Sequence, residues 1–163
     1  RHSIRAYQSQ AVEPEKLQEL LRAISRAPSA GNLQAYEVYL VTDAERKSAL
    51  WNSAQNQEFL MQAPLVLVFC AHAARSEGRY GTRGVELYCI QDATIACTFA
   101  MLAVTALGLS TVWVGAFDET AVREIIGAPQ EHRPVAMLPI GYAAEAPRNR
   151  PRRKLDDLVH HVK

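Results

Sequence analysis

Leu17, Leu20, Leu21 and Ile24 recur at spacings of three and four, which marks a helix with one apolar face. Pro14 suits its first turn. Ala27-Pro28 closes it, because the residue before a proline is pushed out of the helical region. Residues 65–70 form an apolar run without alternation, bounded by Pro64 and His72, the pattern of a strand buried on both faces. Further strands are predicted at 37–41, 110–116 and 134–142, and short helices at 43–51 and 57–61. Asp118 suits the N-cap of a helix reaching Ile126. Residues 88–107 predict a helix that is apolar nearly all round, hence buried in a core or a subunit interface. Residues 72–85 are polar and basic, carry Gly78, Gly81 and Gly84, and read as a loop. Strands and helices mix without regular βαβ alternation, so the fold class expected is α+β, one central sheet covered by helices. No repeat and no long linker divides the chain, so 1–163 is read as a single domain.

Composition narrows this picture. Of 163 residues, 48% are hydrophobic and the formal net charge is +1, which describes a globular domain rather than a disordered chain. Overall charge predicts no polyanionic partner. Cys70, Cys89 and Cys97 are odd in number, lie in apolar runs and lack CxxC spacing. They are expected as buried thiols in a reducing cytoplasm, with no disulfide framework and no metal site. Residues 93–117 carry no charge and are long enough to cross a bilayer. Gly108 looks like a helix stop, however, and Asp92 and Asp118 flank the run where basic residues would be expected. No membrane partner is expected, and no signal-peptide pattern is visible.

Candidate chemistry lies in three places. Arg1, Ser3 and Arg5 alternate with Ile4, so Ser3 and Arg5 share a side of an extended strip suited to a phosphate. Arg148, Arg150, Arg152, Arg153 and Lys154 form a basic tail, followed by Leu155, Leu158 and Val159, whose spacing suits docking. The tail lacks aromatic interleaving, so nucleic acid is not expected. Residues 27–34 form a compact polar loop in which Ser29, Asn32 and Gln34 offer hydrogen bonds to the edge of a planar cofactor. Taken singly, these are also what a solvated terminus, a solvated tail and a capped turn look like. No dinucleotide fingerprint or P-loop occurs, and no Ser/His/Asp triad can be inferred. His160 and His161 lie in the tail without metal-ligand spacing.

Their order along the chain is more specific. Arg1-His2-Ser3-Ile4-Arg5-Ala6-Tyr7 resembles the opening phosphate-binding motif R-[RH]-S-x-[RK]-x-[FY] of the FMN-dependent nitroreductase family. Residues 27–34 resemble its A-P-S-x-x-N-x-Q loop, and Ala63-Pro64 with 65–70 its A-P plus buried strand. Gln91-Asp92-Ala93 opens what looks like its central helix. Residues 108–117 are similar to G-L-G-T-x-W-x-G-x-F, and 134–142 to the closing strand. Arg152-Arg153 with Leu155 resembles the basic tail. The resemblance, which runs from Arg1 to about Val159, implies a central mixed, mostly antiparallel sheet between helices, and a homodimer with FMN at the interface. It implies hydride transfer from NADH or NADPH, through flavin N5, to a nitroaromatic, quinone or related small-molecule acceptor, with no catalytic side chain.

By the same resemblance the FMN phosphate meets Arg1, Ser3, Arg5 and Arg152 or Arg153, with His2 in the motif. The isoalloxazine meets Asn56 or Gln57 and the backbone at Val114 and Gly115. Ser29, in the loop with Asn32, reaches it from the partner subunit. Ala35-Tyr36 departs from the family's frequent Pro-Trp, which puts Tyr36 at the substrate pocket, and Phe59 stands where some members place a lysine. Arg79 and Arg83 are candidates to attract an anionic donor or acceptor. A same-fold dehydrogenase, a flavin-fragmenting oxygenase and a non-catalytic binding module remain alternatives.

Overall fold

The computed structural model describes residues 1–162. It is built from α1 (Pro14–Ser25), β1 (Tyr36–Val41), α2 (Ala44–Ser53), α3 (Phe59–Gln62), β2 (Leu65–His72), α4 (Ala73–Arg83), α5 (Cys89–Ala106), β3 (Ser110–Thr111), α6 (Glu119–Ile125), β4 (His132–Gly141) and α7 (Leu155–Leu158). The four strands form one antiparallel sheet in the order β1-β2-β4-β3. The only parallel element among the described residues is an isolated bridge between Ser3 and Thr111.

The unbroken apolar run of β2 has its reason in this sheet. Val66, Val68 and Cys70 point to one side, where α2, α3 and α6 supply Leu50, Leu60 and Val122. Leu65, Leu67 and Phe69 point to the other, where α1 and α5 supply Leu20, Ile24, Ala96, Ala100 and Val104. Period-two alternation therefore feeds two cores at once, and neither face can be polar. β4 repeats the pattern with Met137 on the first side and Ala136, Leu138 and Ile140 on the second. The β2–β4 register slips between Phe69 and Cys70, which pair with Ala136 and Pro134. Val135, which lies between those two partners, is the extra residue of this bulge.

Two sequence expectations are corrected. Residues 72–85 are not a loop: α4 begins directly after β2 and runs through a π turn at Gly84–Tyr88 into α5. The glycines that suggested a loop have separate tasks. Gly81 bends the helix at φ 53°, ψ −141°. A Cβ on Gly84 would stand 2.7 Å from the Ser76 carbonyl oxygen, so the turns touch through backbone. The strand expected at 110–116 is only two residues long, followed by a single bridge from Val114 to Met137.

Helix α5 is apolar enough to pass for a membrane span by length and composition. Its Ala93, Ala96, Ala100 and Val104 are fully buried within the protein's own cores. The chain's first residues form a strap across the sheet's end: Ile4 N–H donates to the Thr111 carbonyl (3.1 Å), Gln8 N–H to Tyr142 (2.9 Å), and Ala144 N–H to Ala6 (2.8 Å). Tyr7 anchors the strap, its buried hydroxyl donating to the Ile4 carbonyl at 2.7 Å, and burial pushes its pKa far above the phenolic range.

Candidate functional site

The strap lays the N-terminal residues beside the segment that follows β4. His2, Ser3, Arg5, Glu145, Arg148, Arg150 and Arg152 line a cavity of about 300 Å³. Four guanidinium groups face one carboxylate there, although the whole chain is nearly neutral. Guanidinium forks and a serine hydroxyl are the donors that bind phosphate through charge-assisted hydrogen bonds. Glu145 already acts as an internal anion: its Oε1 accepts the backbone N–H of Arg5 at 2.5 Å. Arg1 is not among the lining residues; its Nη1 lies 3.5 Å from the Ser3 hydroxyl oxygen. Arg153 does not line the cavity, since its guanidinium turns to the Asp157 carbonyl. Arg148 and Arg150 belonged to a basic tail with no individual roles in the sequence reading. Glu145 gave no sequence signal at all, because only the pairing of Ala144 with Ala6 brings it to Arg5.

The second part of the site lies beyond Thr111. Val114 spends both backbone groups on Met137, its N–H at 3.0 Å and its carbonyl at 2.9 Å, so it has no amide proton left for a ligand. Gly115 is exposed, and its N–H has no partner among the described residues. A Cβ there would sit 2.9 Å from the Trp113 indole nitrogen, so only glycine leaves this backbone bare for close approach. Gln57 stands next to it. Its side-chain amide donates to the Ala54 carbonyl at 2.9 Å and to Ala116 at 3.5 Å, leaving its carbonyl oxygen free to accept. Asn56 is exposed in a left-handed turn at φ 55°. A flat heterocycle with polar edges fits this chemistry, as a phosphate fits the arginine cleft.

The polar loop between α1 and β1 is held from beneath. Asp92 of α5, 2% exposed, accepts the N–H of Ala30 at 2.9 Å and that of Ala35 at 3.2 Å. The Ser29 hydroxyl oxygen accepts the Gln34 N–H at 2.9 Å, and the Asn32 Oδ1 accepts from the Gln34 amide at 3.4 Å. Within one protomer these side chains shape the turn. Arg79 reaches the loop and donates to the Gly31 carbonyl at 3.4 Å, while Arg83 donates to the Tyr88 hydroxyl at 2.9 Å. Tyr36 donates its hydroxyl to the Ile24 carbonyl at 3.2 Å, and burial raises its pKa. Its ring borders a groove between α1 and β1 together with Gln34 and Arg75.

Known proteins share this architecture. The sequence profile of the nitroreductase family matches residues 1–57 and 52–142. An FMN reductase [NAD(P)H] of Bacillus subtilis is 32% identical to the chain, over 97% of this chain and 69% of that protein. The structure of the hypothetical oxidoreductase YcnD from Bacillus subtilis superposes with a TM-score of 0.92 at 31% identity, covering 100% of this chain and 71% of that one. The NADPH:FMN oxidoreductase of Vibrio harveyi, solved with NAD+, gives 0.91 at 25% identity, covering 100% and 74%. With profile, relatives and fold in agreement with the strap, the polar loop and the bare Gly115 backbone, the chain belongs to the nitroreductase family.

Proposed function

We propose that the protein is an FMN-dependent NAD(P)H oxidoreductase that reduces a nitroaromatic, quinone or related small molecule. The observation that carries this is the cleft in which Ser3, Arg5, Arg148, Arg150 and Arg152 line one cavity with phosphate-binding donors. When bound, FMN supplies the hydride chemistry. The chain's own residues bind and polarise. The arginines hold the phosphate, and Gly115 offers a fixed N–H toward negative charge that develops on a reduced ring. Gln57 offers an acceptor. No side-chain acid or base is required.

The exposed apolar surfaces support a homodimer in this reading. Leu102 on α5 is 57% exposed, and Leu155 and Leu158 on α7 are 74% and 55% exposed. The alanines of α5 are already spent on its own sheet, so Leu102 and the tail leucines are the faces a second copy would cover. Ser29 reaches the site from that partner. The cysteines are free and buried, which suits the cytoplasm.

The test is direct. Denaturing the purified yellow protein releases a flavin that mass spectrometry identifies as FMN at one per chain. Anaerobic NADH or NADPH bleaches the bound flavin, and an acceptor restores it. Sedimentation shows a dimer at micromolar concentration. Stoichiometric FAD, or a flavin that neither nicotinamide reduces, overturns the reading.

A further inference from the structure

Away from the arginine cleft, one face of the sheet carries a second constellation. Glu37 and Tyr39 share a face of β1, and Cys70 and His72 share a face of β2. Glu37 pairs with Cys70, so His72 is its diagonal neighbour, within reach of a long side chain. His132 opens β4 directly opposite His72. The two imidazole centroids are 4.4 Å apart. The Glu37, His72 and His132 ligand atoms all lie within 4.8 Å of one another, and all three residues are half-buried at the sheet's rim.

We propose that His72, His132 and Glu37 form a binding site for a divalent metal ion of the zinc type. Two imidazoles and a carboxylate are a donor set that zinc favours, with a fourth position left to water. The outer contacts are built as well. Tyr39 lies with its hydroxyl 2.6 Å from His132 Nδ1, where it can accept Nδ1–H and leave Nε2 to face the ion. Such a partner fixes the ring and its tautomer. His72 Nδ1 is 2.9 Å from Glu37 Oε1, a contact that orients both groups and shifts by a small side-chain rotation to admit the ion. The half-buried rim leaves a path from solvent. An ion here would tie β1, β2 and β4 together at the end of the β2–β4 ladder opposite Leu65 and Ile140. Sequence alone hides the site, because positions 37, 72 and 132 have no motif spacing.

The experiment uses the whole 163-residue chain saturated with FMN. Its tail histidines are first removed as His160→Ala and His161→Ala, so that exposed imidazoles outside the site do not add to the signal. Zinc titration by calorimetry is expected to give one equivalent per chain, and cobalt(II) a visible absorption band of a low-coordinate site. His72→Ala and His132→Ala should each weaken zinc binding by more than tenfold. Tyr39→Phe should weaken it by roughly tenfold without abolishing it. Flavin absorbance and circular dichroism report whether each variant folds, and Glu37→Gln repeats the test at a milder substitution. Zinc binding that vanishes with the tail histidines, or that survives in His72→Ala, His132→Ala and Glu37→Gln alike, overturns the proposal.

Discussion

The carboxylate of Asp92 accepts the backbone N–H of Ala30 at 2.9 Å, and with its other oxygen it holds Ala35. One buried charge thus staples both ends of the polar loop to α5. Removing it strands the Ala35 N–H in a fully buried position. Asp92→Ala should cost about 2–4 kcal/mol, since hydrogen bonds to charged groups contribute about 1.5–3 kcal/mol each and are not additive. Asp92→Asn keeps one acceptor and should lose about half of that. Chemical denaturation of both variants checks the order.

Arg5 brings both a guanidinium and a backbone N–H to the cleft. Arg5→Ala should weaken FMN binding by roughly ten- to hundredfold, corresponding to about 1.5–3 kcal/mol for a lost charged partner. Arg153→Ala, whose guanidinium turns into α7, should change it far less. Flavin fluorescence titration at fixed ionic strength separates the two.

Gly31 sits at φ +56°, and a Cβ there would lie 2.5 Å from the Tyr80 hydroxyl and 2.8 Å from Arg79 Nη1. Gly31→Ala should cost about 1–2 kcal/mol for the left-handed backbone alone, with the displacement of Tyr80 added to it. Pairing it with Tyr80→Ala in a double-mutant cycle should recover the displacement part and leave the backbone part.

Burial pushes the Cys70 thiol up to about 12, and it raises Cys89 and Cys97 as well. At pH 8 all three are therefore thiols rather than the nucleophilic thiolate. A disulfide reagent at pH 8 should titrate fewer than one sulfur per native chain and three after denaturation.

Glu119 and Arg133 form a two-bonded ion pair at 2.9 and 3.0 Å, joining the start of α6 to β4. The Arg133 contact holds the Glu119 carboxyl below its ordinary pKa. A depressed carboxyl contributes stability above its unfolded pKa and loses it as pH falls through the folded value. The difference in thermal midpoint between wild type and Glu119→Gln should therefore shrink as pH is lowered from 7 through the carboxylate range. Both groups are half exposed, so the effect is modest and falls with added salt.

Much of this was readable in the chain because local pattern and tertiary role agree. Leu17, Leu20 and Ile24 face a core at helical spacing, and β2 is apolar throughout because it feeds two cores. The motifs around Arg1, Ser29 and Gly115 pointed to the strap, the polar loop and the bare backbone from which the candidate site is read. What stayed hidden depends on pairing between distant segments. Helix α4 looked like a loop because Gly78, Gly81 and Gly84 carry little helical propensity. Its helix is kept by packing such as that of Gly84 against Ser76. Val114 looked available until Met137 took both its backbone groups. Glu145 and the Glu37–His72–His132 group have no mark in one dimension, since the Ala144–Ala6 pairing places the first and strand register assembles the second.

The strap bears on biosynthesis. Arg5 leaves the ribosome long before Arg152, and residues 142–144, together with Thr111, hold the early segment in place. A nascent chain can fold α1 and its loop, but it has no cleft until β4 has emerged and paired. Flavin loading must therefore wait for β4 and the segment after it, and a ribosome-stalled chain ending before Gly141 should retain no FMN, however complete its helices.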